Sequence, residues 1–288
     1  MMKGRVVLVT GATSGIGKAT ARGLAKMGAS MVLVGRSDDR LAAVGESIAR
    51  ATGASPALMR ADLSSMAEVR DLADRVRAKV GRLDVLINNA GTIVGKRRLS
   101  VDGFEYTFAL DHLSPFLLTN LLLDLMIASA PSRIITVSSA AHYAGKIHFD
   151  DLMLERGYRP FKAYSQAKLA NVMFAYELAR RLQGTGVTSN CLHPGGVRTR
   201  FGNEASGLVR FGLVVIRPFE LSPEMGARTP IYLASSPEVE GVTGRYFVRE
   251  RARQSSPISY DRGAARRLWE ICARLTGLEG RAPEVAGD

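Results

Sequence analysis

Six short, unbroken apolar runs punctuate the first two-thirds of the chain, and a stretch of helical character separates most of them from the next. The runs are Arg5–Thr10, Met31–Gly35, Ala57–Ala61, Leu83–Asn88, Arg133–Ser138 and Val187–Leu192. Half-buried strands alternate apolar and polar residues; unbroken runs mark strands covered on both faces. Between them, Gly15–Gly28 places Ile16, Ala19, Leu24 and Met27 on one helical face. Helices are also expected at Asp39–Thr52, Ser64–Val80, Asp102–Ser129 and Ala163–Gly184. This repetition predicts an α/β fold with a doubly wound parallel sheet, Rossmann-type, as a single domain over residues 1–288. Two stretches break the rhythm, His142–Phe161 and Gly195–Leu221. Both follow C-terminal strand ends, where open α/β sheets bind ligands. Leu208, Val209, Phe211, Leu213, Val214, Val215, Ile216 and Phe219 make the second one apolar. The expectation there is a substrate-lid insertion near 195–221, with a packed insertion or a membrane-surface helix as alternatives.

Composition narrows the partners. The chain is 46% hydrophobic and 23% charged, which excludes a disordered polymer. Its net charge is +12, which admits nucleic acid, an anionic surface or a phosphorylated ligand. The basic residues are scattered, and no helix-turn-helix pattern or basic stripe is evident, so no nucleic-acid partner is expected. Cys191 and Cys272 have neither disulfide-framework nor zinc spacing. No metal is expected, and a reducing, cytoplasmic setting is. The stretch Leu113–Ala130 is apolar but contains Pro115, Thr119, Asn120 and Asp124. It reads as a buried helix, so no transmembrane segment is expected, and no signal peptide either.

Thr10–Gly17 (TGATSGIG) lies between the first strand and the first helix. Gly11 permits a tight turn, Gly15 a close backbone approach to a pyrophosphate, and Gly17 close helix–strand packing. Thr13, Ser14 and Ile16 sit where the free N–H groups of the helix start face an anion. At the end of the second strand stands Arg36, where an NAD site usually carries a carboxylate; an arginine suits a 2′-phosphate, so NADP is expected over NAD. Asp62 and Leu63 follow the third strand, near an adenine ring. Asn88, Asn89, Ala90 and Gly91 follow the fourth.

Tyr164 and Lys168 are four residues apart, on one helical face. A phenol with a pKa of ~10 is a poor acid–base group at neutral pH, and an adjacent ammonium lowers that value. With Thr10–Gly17, Asn88–Gly91, Ser138-Ser139, Tyr164-x-x-x-Lys168 and Pro194-Gly195 in this order, the chain resembles the short-chain dehydrogenase/reductase family over nearly its full length. It is most similar to the retinol dehydrogenase-like branch. The signals are His112-Leu113, Phe116–Thr119, Ala141-His142, Lys168–Asn171, Ala265–Trp269 and the separation of Ser139 from Tyr164.

That resemblance implies an oxidoreductase that interconverts a carbonyl and an alcohol on a hydrophobic small molecule. Ser139 would polarise the substrate oxygen, Tyr164 would be the acid/base, and Lys168 would hold the nicotinamide ribose and lower the Tyr164 pKa. Pro194, Gly195, Val197 and Thr199 would line the nicotinamide end. Asp111 stands where the family usually has an asparagine whose main-chain carbonyl binds a relay water. Pro115 has no N–H to donate to that carbonyl, so the expectation is a bent helix that frees it for water, with Asp111 a neutral stand-in unless its carboxylate alters the local field and raises nearby proton affinities. The alternative from another class is a non-catalytic dinucleotide-sensing regulator. His142, His148 and His193 read as structural. Leu121, Leu122, Leu123, Leu125 and Met126 are core or a helix–helix dimer face, and a homo-oligomer is expected.

Overall fold

The computed structural model describes residues 2–196 and 222–279. One eight-stranded sheet organises them, in the order β3-β2-β1-β4-β5-β6-β7-β8. The strands are β1 (Val6–Thr10), β2 (Ser30–Gly35), β3 (Ala57–Arg60), β4 (Val85–Asn88), β5 (Ser132–Val137), β6 (Val187–His193), β7 (Tyr246–Val248) and β8 (Arg251–Arg253). All pairings are parallel except the last, β7 with β8. Helices α1 (Gly15–Lys26), α2 (Asp38–Thr52), α3 (Met66–Lys79), α4 (Tyr106–Ala128), α5 (Pro160–Arg181), α6 (Pro223–Ser235) and α7 (Arg262–Leu275) cover both faces.

The unbroken strand runs now have a packing reason. Along β1, Leu8 joins one core cluster while Val7 and Val9 join the other. Every residue of such a strand faces a helix layer, so none can be polar without cost. One layer is α3, α4, α5 and α7, whose Leu72, Phe116, Met173 and Trp269 share a cluster. The other holds α1, α2 and α6, with Leu24, Val44 and Leu233.

Local signals set the helix ends. Ser37 and Ser65 cap α2 and α3 through their side chains, accepting from the Arg40 and Glu68 amides. Gly53 ends α2 in the left-handed region, at φ 74°. On α1 the buried stripe is Gly17, Thr20, Ala21, Leu24 and Ala25, rotated from the expected face of Ile16, Ala19, Leu24 and Met27. Small residues let this helix lie close to the sheet, and a reading based on large apolar residues missed them.

Helix α4 is long and apolar enough to cross a membrane by length and composition alone, yet 72% of its most apolar window is buried inside the protein. It is a core helix, as expected. Leu122, Leu123 and Met126 are buried, and Leu121 and Leu125 pack against the same cluster. Between Ala109 and Leu113 it widens to a π-helical turn, ahead of Pro115. The stretch after β5 holds a short 3-10 turn, Ala140–Ala144, and otherwise no regular element before α5. Of the expected 195–221 insertion, only Gly195 and Gly196 are among the described residues. β7, β8 and α6 were not foreseen from the sequence: two strands of three residues and a helix with an internal proline carry little periodic signal.

Candidate active site

The chain runs β1, β2, β3 outward to one edge, then returns to the centre for β4. The crevice at the C-terminal ends of β1 and β4 is therefore the topological switch point, the usual ligand position in such sheets. The glycine turn opens there. Gly11 and Gly15 adopt φ of 66° and 51°, conformations that L side chains rarely take. A Cβ on Gly17 would run into the Gly11 carbonyl and the Asn89 amide. Ser14 precedes α1 without a side-chain cap, and the first turn of α1 has no acidic residue. Its leading N–H groups are thus left for an anion.

The β4 end is tied to this turn. The Asn89 and Ala90 amides both donate to Thr10 Oγ1, at 2.9 and 3.0 Å. The Asn89 side-chain amide donates to the Thr10 carbonyl at 2.8 Å. Arg36 is exposed at the end of β2, where its guanidinium donates to the Tyr106 hydroxyl at 2.9 Å. Asp62 caps its own turn, accepting from the Ser64 amide and hydroxyl, and Leu63 is turned into the core. A glycine cradle, an uncapped helix start and an exposed arginine fit the phosphates of a dinucleotide.

On the other side of the switch, Ser138 and Ser139 follow β5. Ser138 Oγ donates to the Lys168 carbonyl at 2.7 Å, which anchors α5 against the strand end. Tyr164 lies half-buried one turn before Lys168, whose Nζ is 5.4 Å from the centre of its ring. The Ser139 side chain favours the ionised form of the phenol. The structure thus brings Ser139, Tyr164 and Lys168 together beside Gly91. Pro194 and Gly195 follow β6 on the same edge; Val197 and Thr199 lie outside the described residues.

Asp111 differs most from expectation. It is fully buried on the π-turn of α4. Its Oδ1 accepts from the Thr92 amide at 2.7 Å, and its Oδ2 lies 2.9 Å from Lys168 Nζ. A Cβ on Gly91 would sit 2.9 Å from that oxygen and 3.0 Å from that nitrogen, so any side chain there would crowd the pair. The carboxylate thus stands directly against the ammonium, where its field can act on the neighbouring proton affinities. The main-chain carbonyl of Asp111 carries a donor from outside the helix, where a relay water was expected. That donor is the Asn171 side-chain amide, at 2.8 Å. Asn171 in turn receives His112 Nδ1 at 3.0 Å, and His112 Nε2 meets Cys272 Sγ of α7 at 3.3 Å. The sequence offered no sign of this relay beyond the His112 and Asn171 motif residues themselves.

Burial governs the proton affinities. It raises the Tyr164 phenol above its ordinary value; Lys168 pulls it down, Asp111 pushes it up and Ser139 pulls it down. The lowering expected from the ammonium is present but outweighed. Burial works against the Lys168 ammonium, but Asp111 and Tyr164 more than offset it, so its pKa is raised. Burial lifts the Asp111 carboxyl, against the opposing pull of Lys168 and Thr92. Burial also lowers His142, and lowers His112 and His193 to about 4 each, so all three stay neutral near neutrality. His142 bridges the Ser139 carbonyl and the Ser256 amide, a structural role as expected. Among the described residues no His, Cys, Asp and Glu cluster could hold a metal.

Comparison with known proteins agrees with this layout. The family described as short chain dehydrogenase matches residues 5–207. Human retinol dehydrogenase 14 is 43% identical over 96% of this chain and 88% of its own length. A Streptomyces sp. (strain C5) protein named as a daunorubicin C-13 ketoreductase is 41% identical, over 97% and 95%. Among solved structures, a Mycobacterium paratuberculosis protein superposes with a TM-score of 0.77 at 34% identity, covering 99% of this chain and 96% of that one. The Pseudomonas aeruginosa RhlG/NADP active-site complex superposes at 0.69 with 29% identity, covering 85% and 94%. A relationship this long and this close leaves the regulator alternative without support. The chain belongs to the short-chain dehydrogenases, as a retinol dehydrogenase-like, NAD(P)-dependent oxidoreductase that interconverts carbonyls and alcohols.

Proposed function

We propose that the protein uses NADP(H) to interconvert a carbonyl and an alcohol on a hydrophobic small molecule, with Tyr164 as the acid/base. The observation that carries this reading is the meeting of Tyr164, Ser139 and Lys168 beside the glycine turn. A bound nicotinamide dinucleotide supplies or takes up the hydride. The chain's own residues do the rest. Ser139 holds the substrate oxygen and polarises it, and Tyr164 passes its phenolic proton to that oxygen or takes it back. Lys168 holds the ribose hydroxyls, while Pro194 and Gly195 border the nicotinamide end. Arg36, with no carboxylate in contact among the described residues and its guanidinium steadied by Tyr106, is placed for a 2′-phosphate.

The relatives' names point to a retinol and to a ketone at C-13 of daunorubicin, which supports a bulky, largely hydrophobic substrate. A cytoplasmic homo-oligomer completes the reading. The test measures initial rates with NADPH and NADH against a panel of hydrophobic aldehydes and ketones. NADPH should be preferred, and Arg36→Asp should move the preference toward NADH by about tenfold or more, the worth of one charge-assisted phosphate contact. Equal use of both cofactors, unchanged in the variant, would remove the 2′-phosphate role.

A further inference from the structure

Lys168 does not face Tyr164 alone. Its ammonium lies between the phenol and a second buried charge, the carboxylate of Asp111 at 2.9 Å. Both members of the pair are almost wholly enclosed. Asp111 Oδ1 is fixed by the Thr92 amide, and Oδ2 has no hydrogen-bond partner apart from this ion-pair contact. The absence of a Cβ at Gly91 keeps the gap open. The other ionisable groups in this region are Glu105, just ahead of α4, and His112 on it, with His142 and His193 beyond the β5 and β6 ends. Burial keeps the three histidines neutral, and it raises Glu105, so none of these supplies a competing positive charge.

We infer that Asp111 is a positioning residue that balances the charge of Lys168 and so keeps Tyr164 in its proton-donating form, favouring carbonyl reduction into the alkaline range. The inference rests on the acid/base role proposed for Tyr164. Its physics is a charge count. Carboxylate, ammonium and phenol together are neutral; removing one proton leaves a net negative charge in a buried site, which low polarity opposes. With a neutral amide at position 111 the set starts at one positive charge and becomes neutral on losing a proton. Proton loss then occurs at lower pH, whichever member of the coupled set gives it up. An ammonium without its carboxylate also stabilises the phenolate more strongly. Both effects turn the phenol toward proton acceptance, the form that alcohol oxidation needs.

The experiment compares wild type with Asp111→Asn, which retains an acceptor for the Thr92 amide. Two quantities are followed from neutral to strongly alkaline pH. One is the rate of NADPH-dependent reduction of a hydrophobic ketone. The other is the near-ultraviolet phenolate absorbance of the protein without cofactor, referenced to versions carrying Tyr164→Phe. The alkaline limb of reduction and the phenolate transition should both move down by about one unit or more in Asp111→Asn. Alcohol oxidation should gain relative to reduction. Asp111→Ala removes the charge without adding a donor, and should shift the same transition if Asp111→Asn does not accumulate. A phenolate transition that stays in place or moves up overturns the inference. Full reductive activity in Tyr164→Phe overturns the acid/base role instead, a result independent of where the phenolate titrates.

Discussion

At the residue scale, the dinucleotide cradle depends on atoms that are not there. Gly17 has no room for a methyl group between α1 and the Gly11 carbonyl, and a backbone carbonyl cannot swing aside. Gly17→Ala is therefore expected to push α1 off the β1 turn. The cost should be about 1–3 kcal/mol of stability, typical of overpacking, together with weakened binding. Thermal unfolding and a fluorescence titration with NADPH check this. An alanine variant that binds NADPH as wild type does would show that helix-to-turn contact to be unimportant. Lys168 and Tyr164 were legible from their spacing, because one helical turn puts them on one face. The direction of the Tyr164 shift was not. It depends first on burial of the phenol, and then on Asp111, 57 positions from Lys168 in sequence, reaching the same ammonium from the π-turn. Letters record that an aspartate is present; they do not record that its carboxylate is enclosed.

At the scale of elements, the start of β4 is held by one buried acid. Asp84 accepts from Arg5 at 2.7 Å and from the Val6 amide at 2.8 Å, and it pairs with Arg82. It thus fastens β4 to the start of β1. Burial alone would raise its carboxyl, but hydrogen bonds from Arg82, Val6 and Arg5 hold it below the ordinary value of 3.8. A depressed folded-state pKa contributes stability that is complete above the unfolded value and is lost as pH falls through the folded one. Asp84→Asn should cost about 2 kcal/mol at neutral pH, the scale of hydrogen bonds to a charged group, and less in acid where the wild-type carboxylate is itself protonated. Urea unfolding at neutral and acid pH measures both; a cost that does not shrink in acid would deny the ionic origin. Strands β1 to β6 and the helices that precede β6 were readable because each of these strands is sandwiched, which removes polar residues from it. The β7–β8 hairpin escaped notice for the opposite reason. β8 is exposed along its length and reads Arg-Ala-Arg, with no buried side to impose a pattern. His112, Asn171 and Cys272 likewise join three helices by contacts that no local window contains.

For the whole molecule, the fold's contribution is to bring two independently built halves to one edge. β1, α1 and the β4 end make an anion-binding turn, while the β5 end and α5 supply hydroxyl, phenol and ammonium. Neither half has a use for the other unless a dinucleotide spans them, and the relatives' shared family explains why both are present. The most direct measurement of that claim is the turnover of NADPH with a hydrophobic ketone by wild type and Tyr164→Phe, alongside the NADPH affinity of each. Tyr164→Phe should bind NADPH with little change and lose about 10²–10⁴-fold in turnover, the worth of a positioned proton donor. Turnover equal to wild type, with binding intact, would contradict the account.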